Sequence, residues 1–222
     1  MAGIQDEVIF QDDFFGCELF AAAGQGSPWA IADTSANGTP TYAVVTPSQN
    51  GEIALTFDNT AEAQNVCLSF GDKLCFDIDN LIEFECRVKQ GQTTADSATS
   101  AAWGLAGARN DAIDSVAQAA IFRYIGDNVI VCESDDGTTD KDDISTGGKT
   151  LSTTYKRFVI SFANGKSDVR FFIDGERVAA GTTFDMSAYT GSLQPFIQLQ
   201  KTADTNTDSL VVDYVKVVAR RG

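Results

Sequence analysis

The chain has no histidine. That absence excludes an imidazole general base, Ser-His and Cys-His nucleophile pairs, and histidine metal ligands. Cations are scarce: sixteen Lys and Arg stand against thirty-one Asp and Glu, for a net charge of −15. This deficit argues against nucleic acid, whose phosphates are held by Lys and Arg. It argues equally against anionic membrane surfaces. No stretch approaches the ~20 apolar residues of a membrane helix. The segment Met1 to Glu7 has no basic start and no apolar stretch, so a secretory signal is not expected.

The cysteines are Cys17, Cys67, Cys75, Cys86 and Cys132. Their number is odd and no pair has C-x-x-C spacing. Free thiols in a reducing compartment are the expected state.

Phenylalanine is plentiful, with fifteen copies among 222 residues. A chain of this length is within the range of one sandwich domain, and folding would bury roughly 70% of its extended surface. Period-2 patterns occur throughout, separated by turn residues. Ile82, Phe84, Cys86 and Val88 point one way, while Glu83, Glu85, Arg87 and Lys89 point the other. Such a strand has one dry and one wet face, as in an antiparallel sandwich. Phe57, Phe84, Phe158, Ile160, Phe162, Phe171, Ile173 and Leu199 are the expected core. Asp174-Gly175 between two stripes predicts a hairpin with a type I′ turn. Further strands are expected near 42–46, 65–70, 101–106, 118–125, 128–133 and 193–201. Residues 91–99 and 135–150 read as loops, and 110–115 as one short turn of helix with Asn110 as its cap. The fold class is therefore all-β: a two-sheet antiparallel jelly-roll sandwich, with an N-terminal arm over 1–9 and a single domain over 10–222.

Three segments carry a resemblance. They are the opening Phe10-Gln11-Asp12-Asp13-Phe14-Phe15-Gly16 followed by Trp29, the Asp174-Gly175 hairpin, and the closing Val212-Asp213-Tyr214-Val215-Lys216-Val217. In this order they resemble the concanavalin A-like jelly rolls, which include legume-type lectins, laminin G-like modules and many glucanases. One fold hosts many sites, so the resemblance implies a fold before a function.

Four constellations bear on function. Glucanases of this group use E-x-D-x-x-E, with two glutamates as nucleophile and acid/base. The nearest stretch, Asp77-Ile78-Asp79-Asn80-Leu81-Ile82-Glu83-Phe84-Glu85, lacks that spacing. Glu83 and Glu85 read as a solvated strand face, so catalysis is not expected. Asp135, Asp136 and Asp140 lie in an acidic stretch near Gly137, where hard oxygens suit calcium or a solvated loop. Asp213 matches an aspartate that touches a structural calcium in many jelly rolls of the group. It is expected to share a face with Val211, Val215 and Val217, held by a cation or by backbone N–H groups. No other cofactor is implied. Finally, Gln198 and Gln200, with Trp103 and Tyr124, offer amides and aromatics suited to a sugar. An ordinary sheet face is the alternative.

The chain also resembles jelly-roll proteins encoded among the structural genes of tailed phages, in segments such as Trp103-Gly104-Leu105-Ala106-Gly107-Ala108-Arg109-Asn110-Asp111. That resemblance implies a non-enzymatic virion component, a capsid decoration protein made in the host cytoplasm. Its partners would be the major capsid protein and copies of itself. Ala2, Ile4, Val8 and Phe10 would form the contact, since extended segments add to sheet edges. A carbohydrate-binding module is the alternative, and a glycoside hydrolase of the same fold the third reading.

Overall fold

A computed structural model describes residues 6–15, 27–48, 50–91 and 98–222. Two antiparallel sheets face each other, with strands numbered along the chain. Sheet A runs β14 (Glu176–Val178), β13 (Arg170–Ile173), β12 (Lys156–Ser161), β7 (Leu81–Gln90), β16 (Ser209–Arg220), β4 (Ile53–Thr56) and β3 (Thr41–Val44), and β1 (Glu7–Asp12) also pairs with β16. Sheet B runs β11 (Asp140–Thr150), β10 (Val129–Asp135), β9 (Ala119–Ile125), β8 (Thr99–Ala106), β15 (Ser192–Lys201), β5 (Gln64–Ser69) and β2 (Ala30–Asp33), and β6 (Phe76–Asp77) pairs with the start of β15. The architecture is the expected all-β sandwich.

The core lies between the sheets and includes all eight expected residues. Its centre is aromatic. Phe158 of sheet A meets Trp103 and Phe122 of sheet B edge-on, at 4.9 and 5.0 Å between ring centroids. Phe171 meets Phe122 at 5.1 Å. Such edge-to-face pairs add about 1 kcal/mol each beyond the area they bury.

The opening motif builds a second aromatic group. Asp12 accepts hydrogen bonds from the Phe14 amide and from the Trp29 indole N–H, both at 2.8 Å. It thereby pins Trp29 among Phe10, Phe14 and Phe70. The F-x-D-D-F…W pattern is thus a packing device at one end of the sandwich.

Asp174 and Gly175 both have positive φ, at 52° and 86°, as the type I′ hairpin requires. The helical turn over 110–115 is a short 3-10 turn at Ile113–Ser115, whose N-cap is Ala112 rather than Asn110. The described cysteines are free: Cys67, Cys86 and Cys132 are buried and Cys75 is exposed. Burial pushes the Cys67 thiol up to about 12 and the Cys86 and Cys132 thiols upward as well.

Three expectations need correction. The stretch 135–150 is no loop: β11 occupies most of it, with bulges that hide the alternation. The arm does not reach residue 9, because β1 pairs with β16 from Glu7 opposite Arg220. A register shift between Val212 and Tyr214 reverses the parity of β16. Leu210 and Val212 point inward before it, and Val215, Val217 and Ala219 after it. Asp213 is therefore on the outer face, apart from the inward Val215 and Val217.

Candidate functional site

The outer face of sheet B can be read row by row from the strand register. One row holds Glu133, Ile121, Gly104, Phe196 and Ser69. The next holds Val131, Arg123, Ala102, Gln198 and Cys67. A third holds Ile125, Ser100, Gln200 and Asn65, with Thr34 beside Asn65 through a backbone bond of 3.0 Å. The central positions are small, which leaves a trough.

The β8–β9 loop, residues 107–118, fills that trough. Its Ile113 and Val116 are buried against Cys67, Ala102, Ala106, Ala119, Ile121 and Phe196. The glutamines of β15 fasten it. Gln194 donates to the Gly107 carbonyl at 2.9 Å, Gln198 donates to that of Asp111 at 3.0 Å, and Gln200 accepts from the Ile113 amide at 3.2 Å. Asn65 also donates to the Asp111 carbonyl, at 2.9 Å. Buried amide N–H groups need acceptors, and here the loop backbone supplies them. The Gln194 oxygen accepts from the Phe70 and Asp72 amides at 3.0 and 3.1 Å, while the buried Gln198 Oε1 has no partner among the described residues.

This geometry corrects the expected sugar site. Gln198 and Gln200 are on the outer face, but Trp103 and Tyr124 point into the core, each 0% exposed. Period 2 puts neighbouring strand positions on opposite faces, so these amides and aromatics cannot touch one ligand. Gln198 is itself fully buried.

What remains open is the end of the third row. Thr34, Asn65, Asp111, Gln200 and Lys201 border a groove of about 440 Å³, with Ala36, Ala63, Ala112 and Ala203 as its apolar part. Hydroxyl, amide and carboxylate groups around a small apolar surface suit a polyhydroxylated ligand. The Arg109 guanidinium beside Asp111 holds its carboxyl below the usual range. Lys201 is 3% exposed, and its ammonium donates to the carbonyls of Asp58, Thr60 and Asn206 at 2.7, 3.1 and 2.9 Å. Sequence reading singled out Gln200 but missed Thr34, Asn65 and Asp111. Only the register and the loop bring them together.

The calcium candidates are engaged otherwise. Asp213 pairs with Arg87 at 2.5 Å. Asp136 accepts the amides of Thr138, Thr139 and Ala188 at 2.9, 2.7 and 2.9 Å, bonds that lower its carboxyl despite burial. Asp135 accepts the Gly137 amide at 2.7 Å and so shapes the turn. Asp140 is exposed at the start of β11 and lies opposite Asp135 in the register. The three aspartates thus build a hairpin turn and form no common oxygen cage.

Glu83 and Glu85 lie on the outer face of sheet A. Glu83 pairs with Lys216 at 3.5 Å; Glu85 pairs with Arg157 at 3.3 Å and accepts the Tyr214 hydroxyl at 2.5 Å. Of the expected contact residues, Ala2 and Ile4 fall outside the described residues. Val8 is 38% exposed. Phe10 packs on Phe70 at 5.1 Å, so it serves the core rather than a partner.

No family model matches the chain, and no curated protein sequence matches it either. Solved structures do. An endo-1,3-β-glucanase from Streptomyces sioyaensis is 15% identical, with 99% of this chain and 98% of that one covered and a TM-score of 0.61. The carbohydrate recognition domain of Emp47p is 11% identical, with 89% and 90% covered and a TM-score of 0.55. A carbohydrate esterase of the Shiga toxin-encoding bacteriophage phi24B is 13% identical, with 88% and 91% covered and a TM-score of 0.53. At these identities the likeness is one of fold. The sandwich is that of the concanavalin A-like lectins and glucanases.

Proposed function

We propose that this protein is a non-catalytic carbohydrate-binding module. The observation that carries the reading is the groove between Thr34, Asn65, Asp111 and Gln200, on a sandwich shared with sugar-binding and sugar-cleaving proteins. Its polar groups are held by backbone and by one another, as in the Thr34–Asp111 bond of 3.0 Å and the Asn65–Thr34 bond of 2.9 Å. Preorganised groups lose little entropy on binding. Catalysis is left out because the carboxylate pair on β7 is neutralised by Lys216 and Arg157 and lies on the other sheet. A glycan array followed by calorimetry tests the reading. Ala203 is exposed at the groove, so Ala203→Trp should fill the groove without disturbing the fold and should abolish binding. Binding that survives this change would move the site elsewhere. An empty array would remove the reading.

A second reading is assembly on a virion as a capsid decoration protein, with the shell protein and copies of itself as partners. Two observations favour it. Strand β1 presents Val8 and Ile9, 38% and 60% exposed, and one structural neighbour is encoded by a bacteriophage. Deleting Ala2 to Glu7 should leave the sandwich folded and weaken binding to undecorated particles. Absence of the protein from purified virions by mass spectrometry would end this reading.

A further inference from the structure

The far end of the 107–118 loop is fastened by a single guanidinium. Arg123 projects outward from β9, yet its side chain is only 4% exposed. Its Nη1 is 2.6 Å from Asp114 of the 3-10 turn, 2.6 Å from Glu133 of β10 and 3.5 Å from Asp142 of β11. Its Nε is 3.5 Å from Asp143, also of β11. Asp135 and Asp140, at the tip of the same hairpin, add negative potential. One cation thus faces four carboxylates drawn from three elements, and Glu133 among them is almost fully buried.

We infer that this cluster is a pH-governed latch, which holds the loop down on sheet B in mildly acidic solution and loosens as the solution turns alkaline. When Glu133 is neutral, Arg123 is left to Asp114, and that bond spans loop and sheet. When Glu133 ionises, both carboxylates draw on the one charge of Arg123, and Glu133 repels Asp114 across that guanidinium. It also repels Asp142 and Asp143. Their carboxylate oxygens lie within 4.8 Å of its own and of one another. Burial pushes Glu133 up to about 7, and the pull of Arg123 does not cancel it. Burial and neighbouring acids raise Asp140 and Asp143 as well. A raised carboxyl means that the latched form holds its proton more tightly than the opened form. Its contribution is complete below the ordinary value of 4.5 and is lost as pH rises through about 7. Of the other fasteners of the loop, Gln194, Gln198, Gln200 and Asn65 are neutral amides and do not titrate. Two more are carboxylates: Asp72 accepts the Arg109 amide at 2.8 Å, and Asp111, which the bond from Arg109 holds below the usual carboxylate range, accepts the Thr34 hydroxyl at 3.0 Å.

The test needs only the protein. The amides of Ile113, Ser115 and Val116 bond to Gln200, Ala112 and Ile113 respectively, so their hydrogen exchange reports on the loop. After correction for intrinsic rates, their protection should fall by more than about tenfold between pH 5.5 and 8.5 relative to amides of β7 and β16, because the span from 5.5 to about 7 alone exceeds one pKa unit. Glu133→Gln should keep the protection and flatten the pH dependence. Asp143→Asn, at a half-exposed side chain, should diminish it in the same direction without risk to the core. Equal losses in loop and core would assign the effect to general charge repulsion and overturn the latch. So would an unaltered pH profile in both variants.

Discussion

The two outer faces of the sandwich stand in contrast. On sheet A, β7 alternates buried and partly exposed residues, and its charges meet opposite charges on neighbouring strands. On sheet B, β5, β8 and β9 are buried along almost their whole length. One face is wet; the other is roofed by its own loop. The difference shows that a sheet needs no second sheet to be buried on both sides. Small residues and a few fixed amides suffice, provided the amides meet backbone partners.

Substitutions can break or sharpen that contrast. The largest effect should come from the core that both faces share. Phe158→Ala removes a ring that touches Trp103 and Phe122, and should cost about 3–5 kcal/mol in denaturant unfolding. Next comes the roof. Ile113→Ala should cost about 2 kcal/mol, the low end for a buried aliphatic, because its cluster is small. It should also increase protease cutting within 107–118. The Asp174-Gly175 turn should follow. Nothing lies within 4 Å of a Cβ built on Gly175, so Gly175→Val meets only backbone strain, about 1 kcal/mol. The wet face should matter least. Glu83→Ala should change stability by less than about 0.5 kcal/mol, since its pair with Lys216 is partly solvated. A cost equal to that of Ile113→Ala would abolish the distinction between the faces. EDTA should leave the melting temperature unchanged, because Asp213 and Asp136 already have partners. A drop that added Ca²⁺ reverses would bring calcium back.

Sheet A was legible in the sequence because its outer face is solvated. Alternation on β7 and the inner stripes of β12 and β13 identified the core, and Asp174-Gly175 identified the turn. Sheet B was harder, for a physical reason. Where both faces are buried, hydrophobicity does not tell inward from outward, so sequence reading groups Trp103 and Gln198 in one candidate sugar site although they face opposite ways. Asp213 was misplaced by one bulge, which period-2 counting cannot see. The groove was illegible beyond Gln200, since Thr34, Asn65 and Asp111 meet only through long-range pairing and a loop. The opening motif was visible, but its physical content, an aspartate fixing an indole, needed the structure.

Lys201 has a consequence of another kind. Three carbonyl oxygens, from Asp58, Thr60 and Asn206, converge on its ammonium. Such a cluster of carbonyl dipoles is what an alkali ion would otherwise balance. Here the counter-charge is tethered by covalent bonds to a strand of the sheet. Dilution cannot remove it and no chelator can extract it. This corner of the sandwich, which borders the groove, should therefore keep its shape from very low to high ionic strength.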